Sequence, residues 1–449
     1  MKIDSAVKYT SRLIDVWMPA KIKYADIPGV AIGIFYKGKL LYQKGFGFAD
    51  IEHKKKMKPD SLFRVASMSK MFTSVAILQL QEQKRLRLDD KISSYLPWFK
   101  GKNNVGDLKN VTIRQVLSHM SGLFRDGEKP YWYSHSFPHN LEKTISNRSI
   151  IFRHSKTFKY SNHGYSVLGA VIKKVSGIPY NRYVKENIID VLGLKSTYPD
   201  LKSKTKLSNL AKGYGRIIPG QNKREIFPNI TTYAYSPATG FISDVSDLAI
   251  FLNSLVPYSK GHQILSENSK REMRKVYSKT KGYGDYGLGL HIKDISKKRK
   301  IIGHDGGFSG YLTYADVNPK DGLGVIVLSN SLSYGAAGMN EAIFETLYYF
   351  LDKPALKNPK VSPYSGIYRD RWSDSVVADE GNSLLLFYVA TANPMKGKFI
   401  LKPITKHKFR IEAENGLDAL GEIAEFTSFK KGKATKLLWG PNPSFRYDK

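Results

Sequence analysis

Between residues 4 and 24, Val7, Leu13, Ile14 and Trp17 recur at helical spacing, which predicts an amphipathic helix closed at Pro28-Gly29. Two apolar runs follow, Val30 to Tyr36 and Leu40 to Gln43, on either side of Lys37-Gly38-Lys39, and they predict an antiparallel hairpin. Gly45, Gly47 and the polar residues through Lys58 are expected to form a connecting loop. Arg64 to Leu80 then carries Met71, Phe72, Val75, Leu78 and Leu80, an apolar stripe that predicts a helix turned toward a core.

Shorter helices are expected near 88–97 and 112–123, the second capped by Thr112. Residues 125–156 are polar and aromatic without period and predict a long loop, with Tyr131, Trp132, Tyr133 and Phe137 available to line a pocket or to pin the loop down. Helices are predicted at 164–176, ended by Gly177, and at 243–255, with Ser243 and Asp247 as cap and first-turn acid. Strand patterns return at 286–292, 300–304, 311–315 and 324–329, before a last helix at 337–352. Strands at both ends of a helical middle imply an α/β architecture whose single antiparallel sheet is completed by its first and last pieces.

Lys353 to Pro363 is rich in proline and lysine, and beyond it short strands recur at 375–377, 384–389, 398–403, 408–412, 422–429 and 435–439, as in a small β-barrel. The domain reading is therefore 1–355, a linker at 356–363, and an all-β domain at 364–449. A chain of 449 residues is long enough for such subdivision.

Composition changes the picture in three ways. The 71 Lys and Arg against 39 Asp and Glu give a formal charge of +32, spread along the chain, which favours nonspecific contact with anionic surfaces. Zinc-finger spacing and a basic stripe interleaved with aromatics are both missing, so specific nucleic-acid binding is not expected. With no cysteine, disulfides, thiol catalysis and thiolate metal sites are excluded. Met1 to Pro28 carries charges throughout and lacks the apolar core of a signal peptide, and no window reaches the roughly 18 apolar residues of a membrane span. The expectation is a cytoplasmic protein; homo-oligomerisation is compatible with the sequence.

Candidate chemistry starts at Ser67. Lys70 follows three residues later, so on a helix hydroxyl and amine share a face, and burial would lower the amine's pKa enough to make it a base. The same Ser-x-x-Lys spacing recurs at Ser5, Ser203, Ser278 and Ser428 in polar or turn-like segments, and only Ser67 opens an apolar helix. On that stretch alone, an N-cap serine and a nucleophile fit equally well.

Tyr160-Ser161-Asn162 and His304-Asp305-Gly306-Gly307 add a phenol that a neighbouring lysine could activate, an amide that can hold the lysine or a substrate, and glycines that admit a close backbone approach to a carbonyl. Singly, each has a structural alternative: a core tyrosine, a turn asparagine, a strand-end histidine, a glycine turn.

Together and in this order, Ser67-Met68-Ser69-Lys70, Tyr160-Ser161-Asn162 and His304-Asp305-Gly306 resemble the three motifs of the serine β-lactamase-like family, which includes class C β-lactamases, penicillin-binding carboxypeptidases, D-aminopeptidases and esterases. Leu117-Ser118-His119-Met120-Ser121-Gly122-Leu123 and Ser236-Pro237-Ala238-Thr239-Gly240-Phe241 look similar too, and the likeness runs over about residues 24–352. The resemblance implies a β-lactamase-like domain, with a central antiparallel sheet flanked by helices and a helical lobe, and a tail similar to a lipocalin-like barrel.

It further implies Ser67 as the acylated nucleophile, with Lys70 and Tyr160 sharing its proton and His304 in the third motif. Asn162 would position Lys70 and substrate, and Asp305, Gly306 and Gly307 would line the binding site. The oxyanion hole would come from the Ser67 and Gly307 amides, and no cofactor or metal is implied. The third motif departs from the lysine, threonine and glycine usual in β-lactamases. A neutral histidine and an added carboxylate suit neutral esters, or amides bearing an amine, better than a substrate carboxylate. The leading expectation is an esterase or peptidase, the alternatives being a β-lactamase or carboxypeptidase acting on a β-lactam or peptide, and a non-catalytic ligand sensor.

Overall fold

The computed structural model describes residues 2–201, 207–218, 220, 223–257, 261–280, 282–333, 336–353, 362–413, 419–440 and 442–447. Contact density divides the chain into a larger unit, residues 31–45 and 49–332, and a smaller one, residues 1–30, 46–48 and 333–449. This division falls elsewhere than the expected 1–355 and 364–449 domains, because the first and last helices group with the β-barrel. Most of the expected 356–363 linker lies outside the described residues.

The larger unit is built on a nine-stranded sheet. In chain order its strands, with two short ladders beside it, are β1 (Gly29–Tyr36), β2 (Lys39–Asp50), β3 (Lys55–Lys56), β4 (Phe63–Arg64), β5 (Gly213–Tyr214), β6 (Ile226–Phe227), β7 (Ile242–Ser243), β8 (Ser278–Thr280), β9 (Gly284–Tyr286), β10 (His291–Ser296), β11 (Arg299–Phe308), β12 (Tyr311–Val317) and β13 (Leu323–Ser329). The sheet order is β3-β2-β1-β13-β12-β11-β10-β9-β8, while β4 pairs with β7 and β5 with β6. First and last pieces thus meet at β1 and β13, as the sequence predicts. Both are buried along nearly their whole length, the pattern of central strands covered on both faces.

Two predicted boundaries change for local reasons. The expected loop at 45–50 is the second half of β2: the position a Gly45 Cβ would occupy lies 2.4 Å from the Met57 carbonyl oxygen, so the glycine admits the returning chain. The expected single strand 286–292 is broken at Gly289, whose φ of +78° suits glycine and whose Cβ position lies 1.9 Å from Ser74 Oγ.

Helices cover the sheet through close backbone contacts. The helix Val245–Ser254 packs onto β1 at Gly33, where a Cβ would sit 2.2 Å from Val245 Cγ1. Its N-cap is Asp244, which accepts from the Asp247 amide; the expected cap, Ser243, ends β7 and bonds Thr197 through its hydroxyl. The helix Ser69–Glu82 is buried on every side from Ser69 to Leu78 rather than along a stripe, and Phe72 stacks on Phe251 with centroids 3.7 Å apart.

In the smaller unit, β14 (Gly366–Arg369), β15 (Asp374–Asp379), β16 (Leu384–Tyr388), β17 (Phe399–Pro403), β18 (Lys408–Ala413), β19 (Ile423–Lys430), β20 (Lys433–Trp439) and β21 (Asn442–Arg446) form a closed barrel. Pairing of Tyr368 with Arg446 and of Arg369 with Phe445 seals it. Tyr368, Leu386, Leu401, Ile411, Phe426 and Leu437 fill the interior. The helices Lys2–Tyr24 and Ala336–Asp352 stack Tyr9 on Phe350, and Lys21 Nζ donates to the Val389, Ala390 and Thr391 carbonyls at 3.0–3.3 Å. Among the described residues, no helix is long and apolar enough to cross a membrane.

Arg64 has no exposed surface. Its Nη1 donates to the Gly240 carbonyl at 3.0 Å and reaches Asp200 Oδ1 at 3.5 Å, and the guanidinium lies over the Phe308 ring. Removing one partner of a buried ion pair strands the other, so Arg64→Ala is expected to cost about 3–5 kcal/mol in urea unfolding. A loss under about 1 kcal/mol would show that the pair contributes little.

Candidate active site

Ser67 sits in a short 3-10 turn, Ala66–Met68, that leads into the helix Ser69–Glu82. Ala66 has φ +50°, a left-handed conformation costing a non-glycine residue about 1–2 kcal/mol. The surroundings hold it there. Val65 N donates to the Phe241 carbonyl at 2.9 Å, Ser69 Oγ donates to the Ala66 carbonyl at 2.5 Å, and Phe241 N donates to Ser69 Oγ at 3.1 Å.

Lys70 is fully buried one turn on. Its Nζ lies 3.0 Å from Ser67 Oγ, 2.7 Å from Asn162 Oδ1 and 2.8 Å from the Ala238 carbonyl oxygen. Burial drives its pKa well below the ordinary lysine value, and the nearby Arg125 pushes the same way, against Asp126 and Asp305. A neutral amine has two N–H groups and one lone pair. In that form, toward which burial biases Lys70, the amide and the carbonyl accept the two N–H groups and the lone pair is left for the Ser67 hydroxyl. Asn162 cannot flip without loss, because its Nδ2 donates to Asp126 Oδ1 at 2.6 Å.

Tyr160 lines the same cavity as Ser67, and its ring passes 4.8 Å from Lys70 Nζ. Burial and then Asp305 raise its pKa well above the usual phenol value, against Ser67 and Arg125. Burial thus opposes the activation of the phenol by a neighbouring lysine that the sequence allows, biasing Tyr160 toward the neutral phenol and Lys70 toward the neutral amine. Its backbone is fixed by His119, whose Nδ1 accepts from Ser161 N at 3.1 Å and whose ring packs on Tyr160. Ser161 caps the helix Asn162–Ser176, so Asn162 is its first residue and not part of a preceding extended turn.

A cavity of about 500 Å³ opens on this group, and Ser67, Tyr160, Asn162, Asp305 and Gly307 all line it. His304 and Gly306 do not. His304 is fully buried, its Nε2 2.9 Å from the Tyr286 hydroxyl and its Nδ1 2.5 Å from the Asp305 carbonyl oxygen, and burial pushes its pKa down to about 3. It is a neutral wall behind Tyr160. Gly306 faces the turn that carries Ser67: a Cβ there would lie 2.2 Å from the Val65 carbonyl oxygen, so the glycine brings β11 against that turn. Gly307 has room for a Cβ, with Leu312 at 3.8 Å as its only near neighbour.

Asp305 is held ionised. Burial alone would raise its pKa, but His291, His304 and the Tyr283 hydroxyl together pull it below the usual carboxylate range. His291, buried between Asp316 Oδ1 at 2.5 Å and Asp305 Oδ1 at 3.7 Å, has its pKa raised: burial opposes protonation, and the two carboxylates outweigh it. Sequence reasoning missed Arg125, Asp126, Phe158, Tyr283, His291 and Asp316. Asp126 and Arg125 lie in the aperiodic loop and carry no motif. Trp132 does line the cavity, whereas Tyr131 and Phe137 are buried and Tyr133 is exposed. Among the described residues, no group of three or more His, Asp or Glu could hold a metal ion.

A mixed helix-and-sheet fold presenting serine, lysine and tyrosine in one cleft defines the class, and the comparisons name it. The family described as Beta-lactamase matches residues 18–348, and the chain belongs to that family. Protein flp of Staphylococcus aureus (strain MW2) is 25% identical over 320 residues, 71% of this chain and 62% of that protein. Penicillin-binding protein 4* of Bacillus subtilis (strain 168) is 30% identical over 293 residues, 62% of each chain. The chain thus spans about 62% of the length of these curated relatives. The octameric penicillin-binding protein homologue from Pyrococcus abyssi shares the fold over 97% of this chain and 99% of its own, with TM-score 0.65 at 24% identity.

Two predictions follow from the geometry. Unfolded, Lys70 titrates near ~10.4; folding lowers that value, so between the two values folding expels a proton and the cost falls as pH rises, by up to ~1.4 kcal/mol per pH unit. Lys70→Met removes the term. Its stability relative to wild type is expected to be highest at the acid end of a pH 6–9 urea series and to decline toward pH 9. Parallel curves would mean a native ammonium. Separately, Gly306→Ala should destabilise by about 1–3 kcal/mol through its clash with Val65, and Gly307→Ala by less than about 0.5 kcal/mol. Equal unfolding midpoints for the two variants would contradict the assignment of Gly306 to packing.

Proposed function

We propose that the protein is a serine hydrolase working through an acyl-enzyme on Ser67. The observation that carries this reading is the buried Lys70 amine, its Nζ 3.0 Å from Ser67 Oγ and also held by Asn162 Oδ1 and the Ala238 carbonyl oxygen. Ser67 Oγ attacks the substrate carbonyl carbon as its proton passes to Lys70 Nζ. The Tyr160 phenol, which shares the cavity with Ser67, protonates the leaving group as the carbon–heteroatom bond breaks, and recovers a proton from the Lys70 ammonium. Water enters by the reverse relay and releases the acid. The Ser67 and Gly307 amides serve as oxyanion donors, each worth about 3–4 kcal/mol in the transition state.

The substrate class follows from charge at the cavity. Asp305 and Asp126 both line it, His304 is neutral, and Arg125 is paired with Asp126 at 3.2 Å. These favour a neutral ester, or an amide or peptide bearing an amine, over a substrate carboxylate. A second reading, a β-lactamase or D-Ala-D-Ala carboxypeptidase, draws support from Arg125, whose side chain is 65% exposed and could turn to a carboxylate. Homo-oligomerisation remains a proposal, supported by the octameric state named for the Pyrococcus abyssi homologue.

Intact-mass measurement after a fluorophosphonate probe should show one adduct on wild type and none on Ser67→Ala. An adduct on the variant would sink the nucleophile assignment, and an adduct that formed with no turnover of any ester or amide would favour a sensor. Between peptides matched except at their ends, the one with a free amine should turn over at least tenfold faster than the one with a free carboxylate. Nitrocefin hydrolysis at a comparable rate would favour the second reading.

A further inference from the structure

A cavity larger than the one over Ser67 lies elsewhere in the larger unit. It encloses about 760 Å³, a volume suited to a small organic ligand, and shares no lining residue with the catalytic cavity. Its chemistry is one-sided. Lys173 and Lys174, in the last turn of the helix Asn162–Ser176, both line it, and among the described residues no Asp or Glu does. Both lysines are exposed, so an anion in the cavity lies near two cationic side chains with no carboxylate among the described lining residues. The remaining lining supplies flat apolar surface: Trp98, and Tyr233 stacked on His139 with centroids 3.7 Å apart.

The cavity's wall is also the mounting of Lys70. Pro237 lines it and belongs to the turn Ser236–Gly240, whose Ala238 carbonyl accepts from Lys70 Nζ. Gly169 lines it and belongs to the helix that begins at Asn162, the residue accepting the other N–H of Lys70. Turn and helix meet inside the cavity with nothing to spare: a Cβ on Gly169 would lie 2.2 Å from Pro237 Cγ. Ser166, another lining residue, donates to the Asn162 carbonyl at 3.0 Å. Tyr180 lines it too and bonds Thr73 Oγ1, which in turn donates to the Pro237 carbonyl. A ligand wedged against Pro237 therefore acts on both acceptors that keep the amine aimed at Ser67.

We propose that this cavity is a second binding site, for an aromatic ring carrying a carboxylate, sulfonate or phosphate, and that its occupancy is coupled to Lys70 through Pro237 and Asn162. Binding stands independently of the hydrolase reading, and the coupling rests on it.

Naphthalene-2-sulfonate is a suitable probe and naphthalene-2-sulfonamide its neutral control, titrated calorimetrically into the full chain. The sulfonate should bind one equivalent at least tenfold more tightly than the sulfonamide. The double variant Lys173→Glu, Lys174→Glu should lose at least tenfold in affinity with an unchanged unfolding midpoint and unchanged basal fluorophosphonate labelling of Ser67. Equal binding to wild type and double variant, or sulfonate displaced by labelling Ser67, would overturn the site. In the coupling arm, saturating sulfonate should change the pH dependence of Ser67 labelling in wild type and leave that of the double variant untouched. Stoichiometric binding with an unaltered labelling profile would overturn the coupling and leave the site. Absence of labelling under every condition would instead overturn the hydrolase reading, with the calorimetric result still deciding the site.

Discussion

An amine taken fully out of water is the constraint around which the larger unit is arranged. Burying an ammonium costs several kcal/mol, and the cheaper state at Lys70 is the free base, whose two N–H groups still demand acceptors. The chain brings those acceptors from far apart in sequence: Asn162 at the start of a helix, Ala238 from a turn between two short strands. Each is itself held. Asp126 fixes the rotation of the Asn162 amide, and Arg64 grips the turn at the Gly240 carbonyl. What lowers the pKa of the amine is thus the same packing that stabilises the fold.

Close backbone approach is how that packing is reached. At Gly33, Gly169, Gly289 and Gly306 a methyl group would collide with a facing element, and the last three of these contacts touch the helix or turn that carries Ser67 and Lys70 or the turn that holds the amine. Missing side chains at these positions let secondary elements sit nearer than side-chain layers allow, and the surrounding interior closes over the amine. Ala66 shows the complementary cost. Its left-handed backbone presents Ser67 at the head of the helix, and hydrogen bonds from Val65, Ser69 and Phe241 over-determine it.

The sequence made the sheet legible because its central strands are continuous apolar runs, and made Ser67, Lys70, Tyr160 and Asn162 legible because three short motifs stand in order. It failed where tertiary contacts decide. β21, with the sequence Asn-Pro-Ser-Phe-Arg, buries only Ser444 and shows no alternation of apolar residues, yet it closes the barrel through its pairing with β14. Gly289 ends a strand-like run because of Ser74, far away in sequence. The third motif reads as a unit in the sequence and is divided in space. Asp305 and Gly307 line the cavity, while His304 and Gly306 pack behind it, as β-strand alternation sends neighbours to opposite faces.

That alternation also explains why a histidine can stand at this place without supplying charge. His304 points into an aromatic wall with Tyr286 and Tyr160, where burial removes its proton, and the charge-bearing role passes to its neighbour. Asp305 in turn is held as a carboxylate by His291, whose pKa Asp316 raises against burial. The result is an Asp-His-Asp chain leading from the sheet interior to the cavity, with a net negative charge at its open end. A pocket wall so constructed attracts a cation and repels an anion at the same spot, and it does so through groups that lie along β10, β11 and β12 rather than on a movable loop. The negative charge at this spot is therefore fixed by the sheet itself, while Arg125 and Trp132 reach the cavity from the loop.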